Sequence, residues 1–351
     1  MKAIPMLVQG TVLRFAADAT VVFDPRAGML QARRGAVRLA LNDLCATVGD
    51  LVTALRNGIN ATDLEGWRQI QPEEGILRKL LDCGIVHVVV QVPPGGRSTA
   101  TLEYLAAYTS EPMQALAAAQ AANVVVVGLG GLGCEVVRHL AALGVRRLVC
   151  VDHDRVELSN LNRQLCYAPA DVGRWKVEAI RDYLDRHHPE TQIATHQKFV
   201  RSEADLLEAL AKTQEPPNLI LCCADEPVGQ VELACLGAAR RLGASFGFTA
   251  MQVGRGYWGL IVSDEAMMEA EGLFQAASEL NTRAKVGAVR GAASWENSLL
   301  AAHFCDALVR RLAALRPGSQ LDCMRSVEFL GPASTTLTDF RHSKMARGGQ
   351  P

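Results

Sequence analysis

Four consecutive valines, Val124–Val127, run directly into Gly128-Leu129-Gly130-Gly131-Leu132-Gly133 and then into a segment of helical composition. A short, wholly apolar, β-branched run reads as a strand buried on both faces, which belongs in a parallel sheet covered by helices. The G-x-G-x-x-G spacing between strand and helix lets the chain turn tightly and presents helix N-terminal N–H groups to a phosphate. Asp152 lies nineteen residues beyond Gly133, at the end of the next apolar run. A carboxylate there is placed to hold a ribose hydroxyl. Together these features predict an α/β fold with a nucleotide at the carboxyl edge of its sheet. They leave the nucleotide open, because dinucleotide dehydrogenases use the same device.

Strands and helices alternate on either side of this loop. Leu148 to Val151 and Leu219 to Cys222 read as strands, with Lys176 to His187 and Val228 to Leu242 as helices. Leu102 to Gln120 has helical composition, and Ser294 to Leu315 is helical again. Residues 264–290 carry few periodic signals and read as a mobile crossing loop, and 341–351 as a flexible tail. Ahead of all this, Pro93-Pro94-Gly95-Gly96-Arg97-Ser98 marks a linker over 93–99, dividing residues 1–92 from a nucleotide-binding domain over 100–340. The first ninety residues predict strands at Val12–Phe15, Thr20–Phe23 and Val37–Leu41. A helix capped by Asp50 and a second helix after Pro72 follow, and Ile85–Val92 closes the unit as a strand. That order is winged-helix-like.

Composition removes other classes. With 49% apolar and 21% charged residues the 351-residue chain is an ordinary globular one. Its 36 Lys+Arg against 37 Asp+Glu leave no basic field for nucleic acid. No run approaches the roughly 18 apolar residues of a membrane span, and no signal-type core follows the N-terminus, so a cytoplasmic location is expected. Ten cysteines include no C-x-x-C pair, so no structural zinc is expected; Cys150, Cys222 and Cys223 sit in apolar runs as small buried hydrophobes.

The residues after Asp152 separate the nucleotides. Asp152-His153-Asp154 leads into Ser159-Asn160-Leu161-Asn162-Arg163-Gln164, then Gly173-Arg174-Trp175-Lys176 opens a helix, and Cys222-Cys223-Ala224-Asp225 places a carboxylate after a later strand. One arginine, one lysine and carboxylates around a phosphate loop suit ATP-Mg chemistry, the cations meeting phosphate charge and a carboxylate the metal. Each has a plainer reading: Arg163 as a surface ion-pair partner, Lys176 as a first-turn lysine, Asp225 as a helix cap, Asp154 as a brace for its own loop.

In this order the motifs resemble the ATP-dependent activating enzymes typified by ThiF, MoeB and the adenylation domains of ubiquitin-activating enzymes, over about residues 100–330. The resemblance implies a Rossmann-like adenylation domain that forms an acyl-adenylate from a carboxylate and works as a homodimer. It implies that Gly128, Gly130, Gly131 and Gly133 cradle the nucleotide and that Asp152, with Asp154 beside it, binds ribose. Asn160, Arg163, Gln164 and Lys176 would hold phosphates or adenosine, and Asp225 magnesium; Arg163, Lys176 and Asp225 form the catalytic set. Three departures stand out: the two C-x-x-C pairs common in sulfur-carrier activators are missing, the segment ahead of the glycine loop, Glu103 to Tyr108, has no arginine, and Asp-Asn is replaced by Asp225-Glu226.

With residues 1–92 as a peptide-clamp module in front, the layout resembles peptide-modifying members of that family such as MccB of the microcin C pathway and PaaA of the pantocin pathway. An extended leader peptide would add to an exposed strand edge. The expected function is therefore activation of a carboxylate on a ribosomal precursor peptide in antibiotic biosynthesis. Activation of a ubiquitin-like sulfur carrier, a non-catalytic leader-binding scaffold, and an NAD-dependent oxidoreductase are the competing readings.

Overall fold

The computed structural model describes residues 7, 10–16, 19–70, 73–90, 95–106, 108–109, 111–211, 213, 215–252, 254–284, 293–313, 315, 322–329 and 337–339. The chain divides into two compact units, residues 1–116 and 117–351.

In the first unit, β1 (Thr11–Phe15), β2 (Ala19–Asp24), β3 (Met29–Arg34) and β4 (Val37–Leu41) are followed by α1 (Val48–Asn57), α2 (Ala61–Gln69), α3 (Glu73–Asp82), β5 (Val86–Val90) and α4 (Thr99–Ala106). β2, β3 and β4 form an antiparallel meander, and β1 pairs with β5. The helices turn Leu51, Leu55, Leu77 and Leu80 inward against Leu13, Leu30 and Ile85, all fully buried. Asp50 falls inside the first turn of α1 rather than capping it, since the helix opens at Val48. β3 and α2 come as additions to the expected strands and helices. Cys83 and Gly84 end α3 through N–H groups on Lys79 and Leu81 carbonyls, Gly84 at φ +67°.

The helix expected over Leu102–Gln120 is two helices, α4 and α5 (Pro112–Gln120). Pro112 is the cause, because proline suits the first position of a helix and breaks its interior.

The second unit continues with β6 (Asn123–Val127), α6 (Gly131–Leu143), β7 (Arg147–Asp152), α7 (Lys176–His187), β8 (Gln192–Gln197), α8 (Glu203–Leu210), β9 (Leu219–Cys222) and α9 (Gln230–Leu242). After these come β10 (Ser245–Gln252), β11 (Arg255–Ile261), α10 (Asp264–Ala284), α11 (Ser294–Leu312), β12 (Cys323–Glu328) and β13 (Leu337–Asp339). They form one sheet of order β13-β12-β11-β10-β9-β6-β7-β8. β10, β9, β6, β7 and β8 run parallel, and β11 to β13 extend the sheet antiparallel. β6 and β9 are buried at every residue, as the unbroken apolar runs predict.

Residues 264–284 are a helix, which corrects the expected crossing loop; 285–290 and the tail lie outside the described residues. α10 buries Ala266, Met267, Ala270 and Phe274 against the core that holds Ile220 and Phe246. Two of those four are alanines, so the apolar stripe shows little contrast with its surroundings. Among the described residues no helix is long and apolar enough to cross a membrane.

Candidate active site

The strand order places β6, the first strand of the parallel set, between β7 and β9. The reversal of winding at β6 leaves a crevice at the carboxyl ends of these three strands, where ligands of open α/β sheets gather. Gly128 leaves β6 at φ +92°, and a Cβ there would lie 2.5 Å from the Ala224 backbone nitrogen. Only glycine meets both demands. A Cβ on Gly133 would overlap the Gly128 carbonyl oxygen, so this glycine allows the first turn of α6 to close on the loop.

A single cavity at this edge is lined by Gly128, Gly130, Asp152, Asp154, Lys176 and Asp225. The structure thus brings six of the expected residues together. Asp152, 8% exposed, accepts the Leu129 N–H at 2.6 Å on one oxygen and the Asp154 N–H at 2.7 Å on the other. Its carboxylate therefore ties the glycine loop to the end of β7. Lys176 is 5% exposed and places Nζ 2.7 Å from Asp154 Oδ2. Burial works against its charge, but Asp152 and the hydrogen-bonded Asp154 more than offset it, and the amine is held above the ordinary lysine range. The side chains of Asp152, His153 and Asp154 bring ligand atoms within 4.8 Å of one another, a spacing suited to an ion. The Lys176 ammonium already supplies the positive charge there.

On the other wall, Asp225 follows β9, is exposed, and makes no hydrogen bond or ion pair among the described residues. Glu226 beside it is also exposed and lines the cavity. An open carboxylate with free oxygens fits a hard divalent cation such as magnesium.

Asn160, Arg163 and Gln164 do not line the cavity. Asn160 accepts the Glu157 N–H at 3.0 Å and so shapes its own 3-10 turn. The Arg163 guanidinium donates to the Ser159 carbonyl at 2.8 Å and to Asn162 Oδ1 at 3.1 Å. Gln164, 3% exposed, approaches Gly130 from the side, with Nε2 4.0 Å from where a Cβ would stand. Of these, Gln164 and the Arg163 backbone stand against the glycine loop at its helix end, the Arg163 carbonyl 3.4 Å from where a Cβ on Gly131 would lie. Cys166 is buried; its hydrogen bonding to Cys134 and its burial push the thiol well up, which suits packing rather than nucleophilic attack.

Sequence reasoning missed Lys198, Phe199 and Glu232. Lys198 and Phe199 line the cavity just past β8, and the Lys198 N–H donates to the Asp152 carbonyl at 3.3 Å. Their position after a strand end was the available signal. Glu232, in the first turn of α9, is pushed up to about 7 by burial and, more weakly, by Asp225, against hydrogen bonds from its own N–H and that of Gly229. No local pattern marks it.

The ThiF family model matches residues 105–338. Among curated proteins, the molybdopterin-synthase adenylyltransferase of Escherichia coli strain K12 is 39% identical over 118 residues, which are 33% of this chain and 45% of that protein. The adenylyltransferase and sulfurtransferase MOCS3 of Anopheles gambiae is 44% identical over 82 residues, 23% of this chain and 19% of its own. The chain thus spans less than half the length of these relatives. Of solved structures, Escherichia coli MccB with AMPCPP and MccA has a TM-score of 0.68 at 15% identity, covering 93% of this chain and 96% of its own. PaaA has a TM-score of 0.63 at 18% identity, covering 92% and 98%. These likenesses establish the Rossmann-like fold with its preceding α+β unit.

Proposed function

The chain belongs to the ThiF family, and from that premise we propose that it adenylates a carboxylate of a ribosomally made precursor peptide, using ATP and magnesium, as a step of peptide modification in antibiotic biosynthesis. One observation carries the reading: the glycine loop, Asp152, Lys176 and Asp225 converge on one cavity at the carboxyl edge of the parallel sheet.

In the proposed reaction a carboxylate oxygen attacks the α-phosphorus of ATP, the bond from that phosphorus to the bridging oxygen breaks, and pyrophosphate leaves. A nucleophile of the same peptide then takes the acyl group and AMP departs. Asp152 holds the ribose hydroxyls while keeping the loop in place. The N–H groups at the start of α6 receive phosphate oxygens. Lys176, protonated at neutral pH, meets the charge that grows on the phosphates, and Arg163 would join it only by leaving its bonds to Ser159 and Asn162. Asp225 would hold magnesium, whose charge would offset that of the phosphates.

The first unit supplies the peptide site over residues 1–92. Among the described residues β2 and β4 each pair only with β3, so each leaves one edge able to accept an added strand. The whole-chain likeness to MccB and PaaA supports this division of labour, and we propose a homodimer as the working unit. The local identity to the molybdopterin-synthase adenylyltransferase favours a second reading, activation of a protein C-terminus such as that of a sulfur carrier.

ATP–pyrophosphate exchange by the full chain separates them. Exchange driven by a short peptide encoded beside the gene, and lost in Ala40→Pro on the β4 edge, is the expected result. Exchange driven only by a carrier protein ending in Gly-Gly would favour the second reading, and no exchange with either would leave a leader-binding scaffold.

A further inference from the structure

Asn297, in the first turn of α11, is 2% exposed, yet its Nδ2 has no hydrogen-bond partner. A buried amide donor is costly to leave unpaired, so the position calls for a reason. The nitrogen is aimed at the glycine loop: a Cβ built on Gly131 would overlap Nδ2 and stand 3.0 Å from Asn297 Cγ. A side chain at 131 would therefore have to displace this amide.

Gly131 is the first residue of α6, a thirteen-residue helix with Gly130 at its N-cap and no side-chain cap. The helical ladder opens with the Cys134 N–H on the Gly130 carbonyl at 3.0 Å, so the N–H groups of residues 131–133 precede it. A further donor, buried and unanswered, therefore arrives from α11 at an uncapped helix N-terminus. Glu135, one turn along α6, is paired through its other oxygen with Arg138 and makes no bond to Asn297. Among the described residues none of these donors is hydrogen-bonded to a protein acceptor, although Glu135 Oε1 and Gln164 Oε1 are also buried and unpaired; donors that converge in this way are the complement of an anion.

We infer that Asn297 is a nucleotide-binding residue, its side-chain amide donating to a phosphate oxygen seated at the N-terminus of α6. The inference rests on reading the cavity as a nucleotide site. It assigns to α11 a part in binding phosphate that neither the glycine loop nor the cavity lining supplies.

The test is calorimetric titration of the full chain with ATP and with adenosine as the phosphate-free probe, beside thermal unfolding without ligand. Asn297→Ala should weaken ATP by about tenfold, the value of one charge-assisted hydrogen bond, and Asn297→Asp by more. Adenosine affinity should stay within about twofold, since no phosphate is involved. The ligand-free melting temperature of Asn297→Ala should not fall, because an unpaired donor has been removed. Asn297→Asp keeps the volume and carries the comparison if alanine prevents folding. Unchanged ATP affinity with a lowered melting temperature would make Asn297 a packing residue. Equal losses for ATP and adenosine would make its effect a deformation of the pocket, and either result overturns the inference. If the wild-type chain bound no ATP, the reading of the cavity would fall first and this inference with it.

Discussion

The two walls of the cavity are built on opposite terms. On the β7 side, Asp152, Asp154 and Lys176 are bound to one another or to backbone N–H groups, and the first and last of them are buried. On the β9 side, Asp225 stands exposed at the end of its strand and is unpaired among the described residues. The difference is instructive. On the proposed reading, groups whose charge must be in place before a ligand arrives are fixed by protein partners, whereas a group that would meet the ligand's cation is left open. Buried partners cost desolvation, and preorganised charge is what they return.

The largest expected effect comes from breaking the closed wall. Lys176→Met should reduce ATP–pyrophosphate exchange by about 10³-fold, the upper range for removing one preorganised donor. It should also lower the chemical-denaturation midpoint, because Asp154 loses its cation. A chain that keeps full exchange would show that the closed wall does no electrostatic work.

Next is the half-buried acid Glu232, beside the open wall. In the unfolded chain the Glu232 carboxyl ionises near 4.5, and in the fold near 7. As pH rises through this window the unfolded chain gives up its proton first, so stability should fall between pH 4.5 and 7 and level off above. The loss should be at most about 3 kcal/mol. Glu232→Gln should remove that slope in urea titrations; an unchanged slope would assign it to another group.

Asp225→Asn comes third, with exchange down by about 10²-fold at limiting magnesium, partly restored by excess metal. Its melting temperature should match the wild type, since an exposed unpaired carboxylate contributes within about 0.5 kcal/mol. A large drop in stability would erase the contrast between the walls. The smallest effect is Asp152→Asn on folding, about 1 kcal/mol, because one of two N–H groups loses its charged acceptor. Its nucleotide affinity should fall further than its stability does, as read by ATP titration.

The closed wall was legible in the sequence because its parts stand at fixed distances from the glycine loop. The Val124–Val127 run fixes the strand, Gly128 and Gly133 fix the turn, and Asp152 ends the adjacent strand. Asp225 was legible for the same reason, as the polar residue after a second apolar run. Other parts left no such trace. Asn297 lies far along the chain and meets Gly131 only through packing. α10 hides its buried stripe among alanines, and α2 carries Gly66 and turns only Leu64 fully inward, so neither shows strong periodicity. Arg163, Asn160 and Gln164 were found by pattern, but the pattern does not convey that they stand outside the cavity lining.

The central claim is that this cavity transfers AMP to a carboxylate, and mass-spectrometric analysis of the nucleotide products tests it most directly. The purified chain would be incubated with ATP-Mg and the short peptide encoded beside its gene. The account predicts AMP and pyrophosphate in amounts that follow the peptide, and neither product from Lys176→Met. ADP and phosphate, or ATP left intact by a chain that binds it, would contradict the claim.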